Sequence, residues 1–245
     1  MLNAVHPLAK LGVALVWLVA SVLVFDAFFQ GATIAIMAAT LILLQRMRLL
    51  VVLALMVPFA LFGFGFFTTS VLFRQESDFA ISMARETFLS SPATSAGMVL
   101  FLRAIACGMV SATFAFSTDP GLFVRSLMAT CRLPARVGYA VFSAMQLVPD
   151  LAAEAQAIRI ARAMRAGRPP RRLPGPAEAF GLVIPLLAFA IRRAGRAAIA
   201  MEARGLSAGG ARTIVGAPRF HIRDAAFIAV ATGALGLCVL AAALR

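Results

Sequence analysis

LLVVLALMVPFALFGFGFFTTSVLF, residues 49–73, runs for 25 positions without a charged side chain. A helix that crosses a bilayer needs roughly 20 apolar residues, so this segment reads as a membrane span. Pro58 and the glycine–aromatic run Phe59–Phe67 lie inside it. Membrane helices tolerate such residues where neighbouring helices pack against the exposed backbone, and this stretch is therefore expected to meet protein.

Outward from that span the pattern repeats. Upstream stand Leu11–Phe25 (LGVALVWLVASVLVF), Asp26 and Gly31–Leu44 (GATIAIMAATLILL), followed by the basic patch Arg46-Met47-Arg48. Both runs are short, so they read as spans that borrow flanking residues or as a tilted hairpin. The first leads straight into the second without a small-residue cleavage pattern, and the N-terminal segment is expected to be retained. Downstream, Arg74 to Thr94 is polar and reads as a solvent loop with a short helix. Gly97–Phe116 is a fourth span, interrupted by Arg103, and Ala225–Leu244 is a fifth. An arginine within a span is expected to snorkel or to pair inside the bundle.

Composition agrees with this reading: 62% of residues are hydrophobic, 13% are charged and the mean hydropathy is +0.93. A soluble domain cannot bury that much apolar surface. The net charge of +13 is no sign of a nucleic-acid binder, because such proteins display their cations on a folded soluble surface. Lys10 is the only lysine among 23 basic residues, so the charge rests on guanidinium groups that stay protonated and make forked hydrogen bonds. Three cysteines (Cys107, Cys131, Cys238) and two histidines (His6, His221) are scattered without metal-ligand spacing. No cofactor or metal site is expected. A P-loop needs Lys followed by Ser or Thr, whereas Lys10 precedes Leu11, and the dispersed Asp26, Asp119, Asp150 and Asp224 form no catalytic constellation. The chain is not expected to be an enzyme.

The charge is concentrated between residues 120 and 223, which hold 16 of the 23 basic residues against four acids, a net charge of +12. The positive-inside tendency places this segment on the cytoplasmic side. The same rule puts Lys10 and the Arg46–Arg48 patch inside, giving a cytoplasmic N-terminus and five crossings. Three regions follow: residues 1–119 with about four spans, the basic region 120–223, and a C-terminal span in 224–245. Within the basic region, Pro169-Pro170 and Pro174-Gly175-Pro176 separate two similar halves. Each half passes from an apolar stretch through a proline into an arginine-rich helix that ends at glycine. Arg192, Arg196, Ala200 and Arg204 recur at four-residue steps along one face, and Gly205 stands where a helix C-cap places it. In the first half Arg159, Arg162, Arg165 and Arg168 recur every three residues, with Gly167 near the end. From charge and periodicity alone, such helices suit anionic lipid as well as a protein partner, and a stand-alone channel or permease with lipid-binding basic helices is an alternative.

The residues themselves resemble a family. Ala200-Met201-Glu202-Ala203-Arg204-Gly205, preceded by Ile184-Pro185-Leu186-Leu187 and Arg192-Arg193-Ala194 and followed by Arg212-Thr213, resembles the second signature of the transmembrane T component of energy-coupling factor (ECF) transporters. Asn3 to Leu11, Leu133-Pro134 and Leu147-Val148-Pro149-Asp150 are similar to other stretches of that family. The resemblance implies an all-α integral membrane protein of about five transmembrane helices with two long amphipathic cytoplasmic coupling helices. It implies a scaffold in the inner (plasma) membrane, whose coupling helices dock on two ABC-type ATPases while the chain embraces a substrate-binding S component, for uptake of a vitamin, vitamin precursor or metal ion. The ATPase-coupling residues it implies are Arg165, Ala166 and Gly167 in the first signature and Ala203, Arg204 and Gly205 in the second. Here the chain departs from the family's Ala-Arg-Gly order, showing Met164-Arg165-Ala166-Gly167, so that Ala161, Arg162 and Ala163 stand as alternatives. The Phe62–Phe67 stretch reads as packing or as a docking face for the substrate subunit.

Overall fold

The computed structural model describes residues 5–72, 92–167, 175–206, 214, 216, 218 and 220–244, and their side chains apart from those of 71 and 92–94. Among these residues there are eight helices and no strand: α1 (Pro7–Leu23), α2 (Ala27–Leu43), α3 (Leu49–Leu72), α4 (Pro92–Ser117), α5 (Pro120–Thr130), α6 (Ala135–Arg165), α7 (Pro176–Ala203) and α8 (Ile222–Ala243). The chain divides into two compact units, one formed by Met1–Phe123 with Pro218–Arg245 and the other by Val124–Ala217. The polar segment expected as a loop with a short helix lies outside the described residues over 73–91.

Three helical segments are long and apolar enough to cross a membrane: Leu49–Ser70, Ser95–Ser117 and Ile222–Ala243. In the first unit α4 packs against α1, α2 and α3, and α8 packs against α1 and α2. Each helix delivers its core residues at four-residue steps, which share one helical face: Val13 and Trp17 from α1, Met37 and Leu41 from α2, Ile105 and Met109 from α4. Trp17, Leu41 and Met109 are essentially inaccessible.

Glycines bring α3 and α4 together. A Cβ on Gly63 would come within 3.0 Å of the Phe101 carbonyl, one on Gly97 within 3.2 Å of Phe67, and one on Gly108 would overlap the Phe59 ring. Small residues at such crossings let membrane helices approach closely. Phe59, Gly63 and Phe67 therefore share the face toward α4. Phe62, Phe64 and Phe66 lie on the other side of α3 and are 67%, 56% and 46% exposed, so the glycine–aromatic run is split between two faces instead of forming one packing surface. Gly108→Val should destabilise the bundle by about 1–3 kcal/mol through overpacking, read as a lower unfolding temperature in detergent. Gly65→Val, where a Cβ meets only open space, should leave it unchanged.

At 17 residues each, α1 and α2 are roughly 25 Å long, short of the approximately 30 Å hydrocarbon layer. Their turn is closed by polar groups. The Asp26 carboxylate accepts from the Phe28 and Phe29 N–H groups at 3.3 and 3.1 Å. The buried Gln30 amide donates to the Ser21 and Val24 carbonyls at 2.9 and 3.1 Å, and Ser21 Oγ donates back to Gln30 Oε1 at 2.7 Å. Arg103 joins the same turn: its Nη2 donates to the Val24 carbonyl at 3.4 Å, and its guanidinium lies 3.8 Å from the Phe25 ring centroid. The arginine inside the fourth span thus pairs within the bundle, with a backbone carbonyl and an aromatic face. Because Arg103 stands eleven residues into α4, the hairpin tip ends roughly 16 Å short of the start of that helix. A hairpin returns the chain to the side it left, so α3 begins on the same side whether or not α1 and α2 cross fully.

At the other end of this unit, Lys10 Nζ donates to the Ser117 carbonyl at 2.5 Å. The buried Asp224 carboxylate accepts from His6 N–H at 2.7 Å and from His221 N–H at 2.8 Å. The second of these bonds belongs to a capping box at the start of α8. His6 also caps α1 through Nδ1, which accepts from Leu8 N–H, and its ring packs on Phe220. The two histidines are thus structural capping residues.

Candidate functional site: a pair of basic helices

The arginine-rich residues occupy the second unit, on α6 and α7. The prolines that punctuate the sequence do not break these helices: α6 runs 31 residues through Pro149, and α7 runs 28 residues through Pro185. Each apolar stretch and the arginine-rich segment after it form one continuous rod, roughly 46 and 42 Å long. Pro169, Pro170 and Pro174 lie outside the described residues, and α7 begins at Pro176 in the first helical turn, where its missing N–H is harmless.

The two rods run antiparallel, as four polar links along their length demonstrate. Arg136 Nε donates to the Leu206 carbonyl at 3.4 Å, Asp150 pairs with Arg193, Arg159 Nε meets Glu178 Oε1 at 2.8 Å, and Arg162 Nη2 donates to the Gly181 carbonyl at 2.9 Å. From Arg136 through Asp150 to Arg159 and Arg162 the partners fall from residue 206, just past α7, through 193 to 178 and 181. The Arg159–Glu178 pair is largely shielded from solvent and is the strongest of these links, being charge-assisted. Apolar burial contributes little, since Gly138 of α6 and Leu182 of α7 are the buried residues of the two helices. Large apolar side chains stand open instead: Met164 is 76% exposed, Phe180 79% and Ile184 78%. Faces of this kind need lipid or protein to cover them.

Both arginine-rich ends finish in the same way. In α7 the Gly205 N–H bonds the Glu202 carbonyl at 2.8 Å and the Leu206 N–H reaches back to Met201 at 3.0 Å, with Gly205 at φ +73°. In α6 the Gly167 N–H bonds the Met164 carbonyl at 3.2 Å, with Gly167 at φ +63°. Glycine takes this left-handed conformation without a Cβ penalty, and the first arrangement is a Schellman cap. The caps set a register. Arg204 is the cap residue of α7, while the equivalent place on α6 belongs to Ala166, and Arg165 is the last helical residue, where Ala203 stands on α7.

Arg165, Ala166, Gly167, Ala203 and Arg204 are all exposed, and Gly205 is partly so. Of the alternatives, Ala161 and Arg162 are exposed and Ala163 is half-covered, but the Arg162 guanidinium is directed into α7 by its bond to Gly181. Antiparallel packing separates the two ends: Arg165 lies beside the start of α7 and Arg204 beside the start of α6, on the order of 40 Å apart for rods of this length. The sequence offers no hint of the Asp150–Arg193 and Arg159–Glu178 pairs, because their partners are 43 and 19 positions apart on different helices. Among the described residues no cluster of three His, Cys, Asp or Glu side chains is placed to hold a metal.

An apolar helical bundle and a cationic antiparallel helix pair in one chain define an all-helical membrane protein. The family model described as CbiQ, cobalt transport protein, matches residues 2–213, and the chain belongs to that family. It is a membrane component of a cobalt or ECF-type transporter. No curated protein matches the chain at a significant level.

Proposed function

We propose that this protein is the T component of an ECF-type ABC importer, a non-catalytic scaffold whose α6 and α7 couple two ATPases to a substrate-binding membrane subunit. The observation that carries this reading is the placement of Arg165 and Arg204 at opposite ends of an antiparallel pair. Sites separated by this much cannot serve one groove, and they suit two identical partners that each receive one helix end. Each arginine sits within two residues of a left-handed glycine, where the chain turns away and leaves the helix end open to a partner. A guanidinium docked on a carboxylate there is bidentate and partly desolvated. Arg165 is the first-signature residue in this scheme, because Arg162 is engaged in holding α6 to α7. Rods of 31 and 28 residues, tied by the Arg159–Glu178 pair, respond together to a motion applied at their ends.

The basic pair faces the cytoplasm of the inner membrane, where ATP is available, and the N-terminus lies on the same side. The transported vitamin, precursor or metal ion is selected by the separate substrate subunit. The test is stoichiometric. The chain, co-expressed with ABC ATPases and a substrate subunit and purified in mild detergent, should carry two ATPases per copy and show no ATP hydrolysis by itself. A chain that transports alone, or that binds no ATPase while folded, refutes the assignment.

A further inference from the structure

The first unit contains a partly open cavity of about 290 Å³ lined by α1, α2, α4 and α8. Its volume is at the lower end of small-ligand sites, which are roughly 300–1,000 Å³. Trp17, Met37, Val110, Phe114 and Phe227 form its wall. The hydroxyls within it are turned inward on their own helices: Thr40 Oγ1 donates to the Met37 carbonyl and Thr113 Oγ1 to the Met109 carbonyl, both at 2.7 Å. The space therefore presents carbon. Water is a poor occupant, since a buried water needs two to four polar partners, whereas hydrocarbon is a natural one inside a bilayer.

One end of the cavity is charged. Lys10 lines it beside Ser117, and its ammonium gives one of its three hydrogens to the Ser117 carbonyl. Among the described residues Lys10 makes no close salt bridge, although it lies in the field of the Asp224 carboxylate, whose two oxygens accept from the N–H groups of His6 and His221. The four helices all contribute residues from the same end: Lys10 near the start of α1, Leu44 just past α2, Ser117 closing α4 and Phe227 early in α8. That end carries further exposed cations, Arg46 two positions beyond Leu44 and Arg223 one helical turn before Phe227.

We propose that this cavity holds an acyl chain of one acidic phospholipid whose phosphate sits at the Lys10 ammonium. Basic pockets between transmembrane helices on the cytoplasmic side take anionic headgroups in this manner, and the apolar wall explains why the ligand is a lipid and not a free anion. The bound chain fills the space between α8 and the α1–α2 hairpin. The inference stands apart from ATPase docking, since it involves only the first unit.

The full chain is purified in detergent, incubated with phosphatidylglycerol, phosphatidylcholine or inorganic phosphate, and examined by native mass spectrometry and thermal unfolding. Wild type should retain one phosphatidylglycerol with a preference over phosphatidylcholine of about fivefold or more, the scale of one basic residue near a headgroup. Inorganic phosphate should neither stabilise the chain nor displace the lipid. Ala231→Phe and Ala14→Phe, which fill the cavity from α8 and α1, should lose the retained lipid, and Lys10→Gln should keep it without headgroup preference. Absence of any preference in wild type, equal stabilisation by inorganic phosphate, or full retention in a folded cavity-filling variant would overturn the proposal.

Discussion

Arg204→Glu should strip one ATPase from the purified complex, Arg165→Glu should strip the other, and the double change should leave the chain without either ATPase. Truncating one partner of a desolvated charge pair costs about 2–5 kcal/mol, roughly 30-fold or more in affinity, and a reversed charge adds repulsion to that loss. Coupled uptake should fall to background in both single variants, because an importer with one ATPase cannot close its pair. Arg162→Gln is the internal control. Its guanidinium is occupied by the Gly181 carbonyl, so this variant should loosen α6 against α7 slightly and still bring down both ATPases. If Arg162→Gln removes an ATPase while Arg165→Glu does not, the first signature is centred on Arg162. If no arginine variant alters recovery, the basic pair serves lipid and the coupling assignment fails.

Asp224→Ala should be the most damaging single change in the membrane unit. The carboxylate is 2% exposed and satisfies the backbone N–H of His6, which is buried, and that of His221, which is part-buried. It also belongs to the capping box and places negative charge at the positive end of α8. Losing a charged acceptor of this kind costs about 2–4 kcal/mol, to be read as a drop in unfolding temperature in detergent. The damage should be local as well as global. His6 lies 218 positions from Asp224, so releasing it frees the start of α1 and should raise amide exchange there and at the beginning of α8. Asp224→Asn should have an intermediate effect, because its amide keeps one acceptor oxygen. An unchanged unfolding temperature for Asp224→Ala would mean that the N-terminal segment is held by Lys10 and Phe220 alone.

The site was partly legible because its signals are local. Glycine two residues past a helix end, arginines at three- and four-residue steps, and the order Ala203-Arg204-Gly205 all report on a single helix and need no partner to be read. Less legible was how far each helix runs: Pro149 and Pro185 lie inside continuous rods of 31 and 28 residues, and one missing N–H does not end a helix whose two sides are both well disposed to it. The hairpin of α1 and α2 shows a similar limit. Its apolar runs read equally as short spans or a tilted hairpin, and only the meeting of Val24, Phe25 and Arg103 shows where the tip stops along α4.

The sequence by itself determined that this chain is helical and membrane-embedded, because stretches of uncharged residues as long as a bilayer is thick have no other stable home. It determined the sidedness expected of the basic region and the positions of its helix ends, since charge bias and cap chemistry are written in contiguous residues. The tertiary structure alone decided which arginines tie the two rods together, because Arg159, Arg162 and Arg193 find partners on a facing helix that no spacing rule connects to them. It likewise decided that Arg165 and Arg204 lie at opposite ends: two helices of unknown pairing could run side by side in either direction, and the ladder from Arg136–Leu206 to Arg162–Gly181 is what makes them antiparallel.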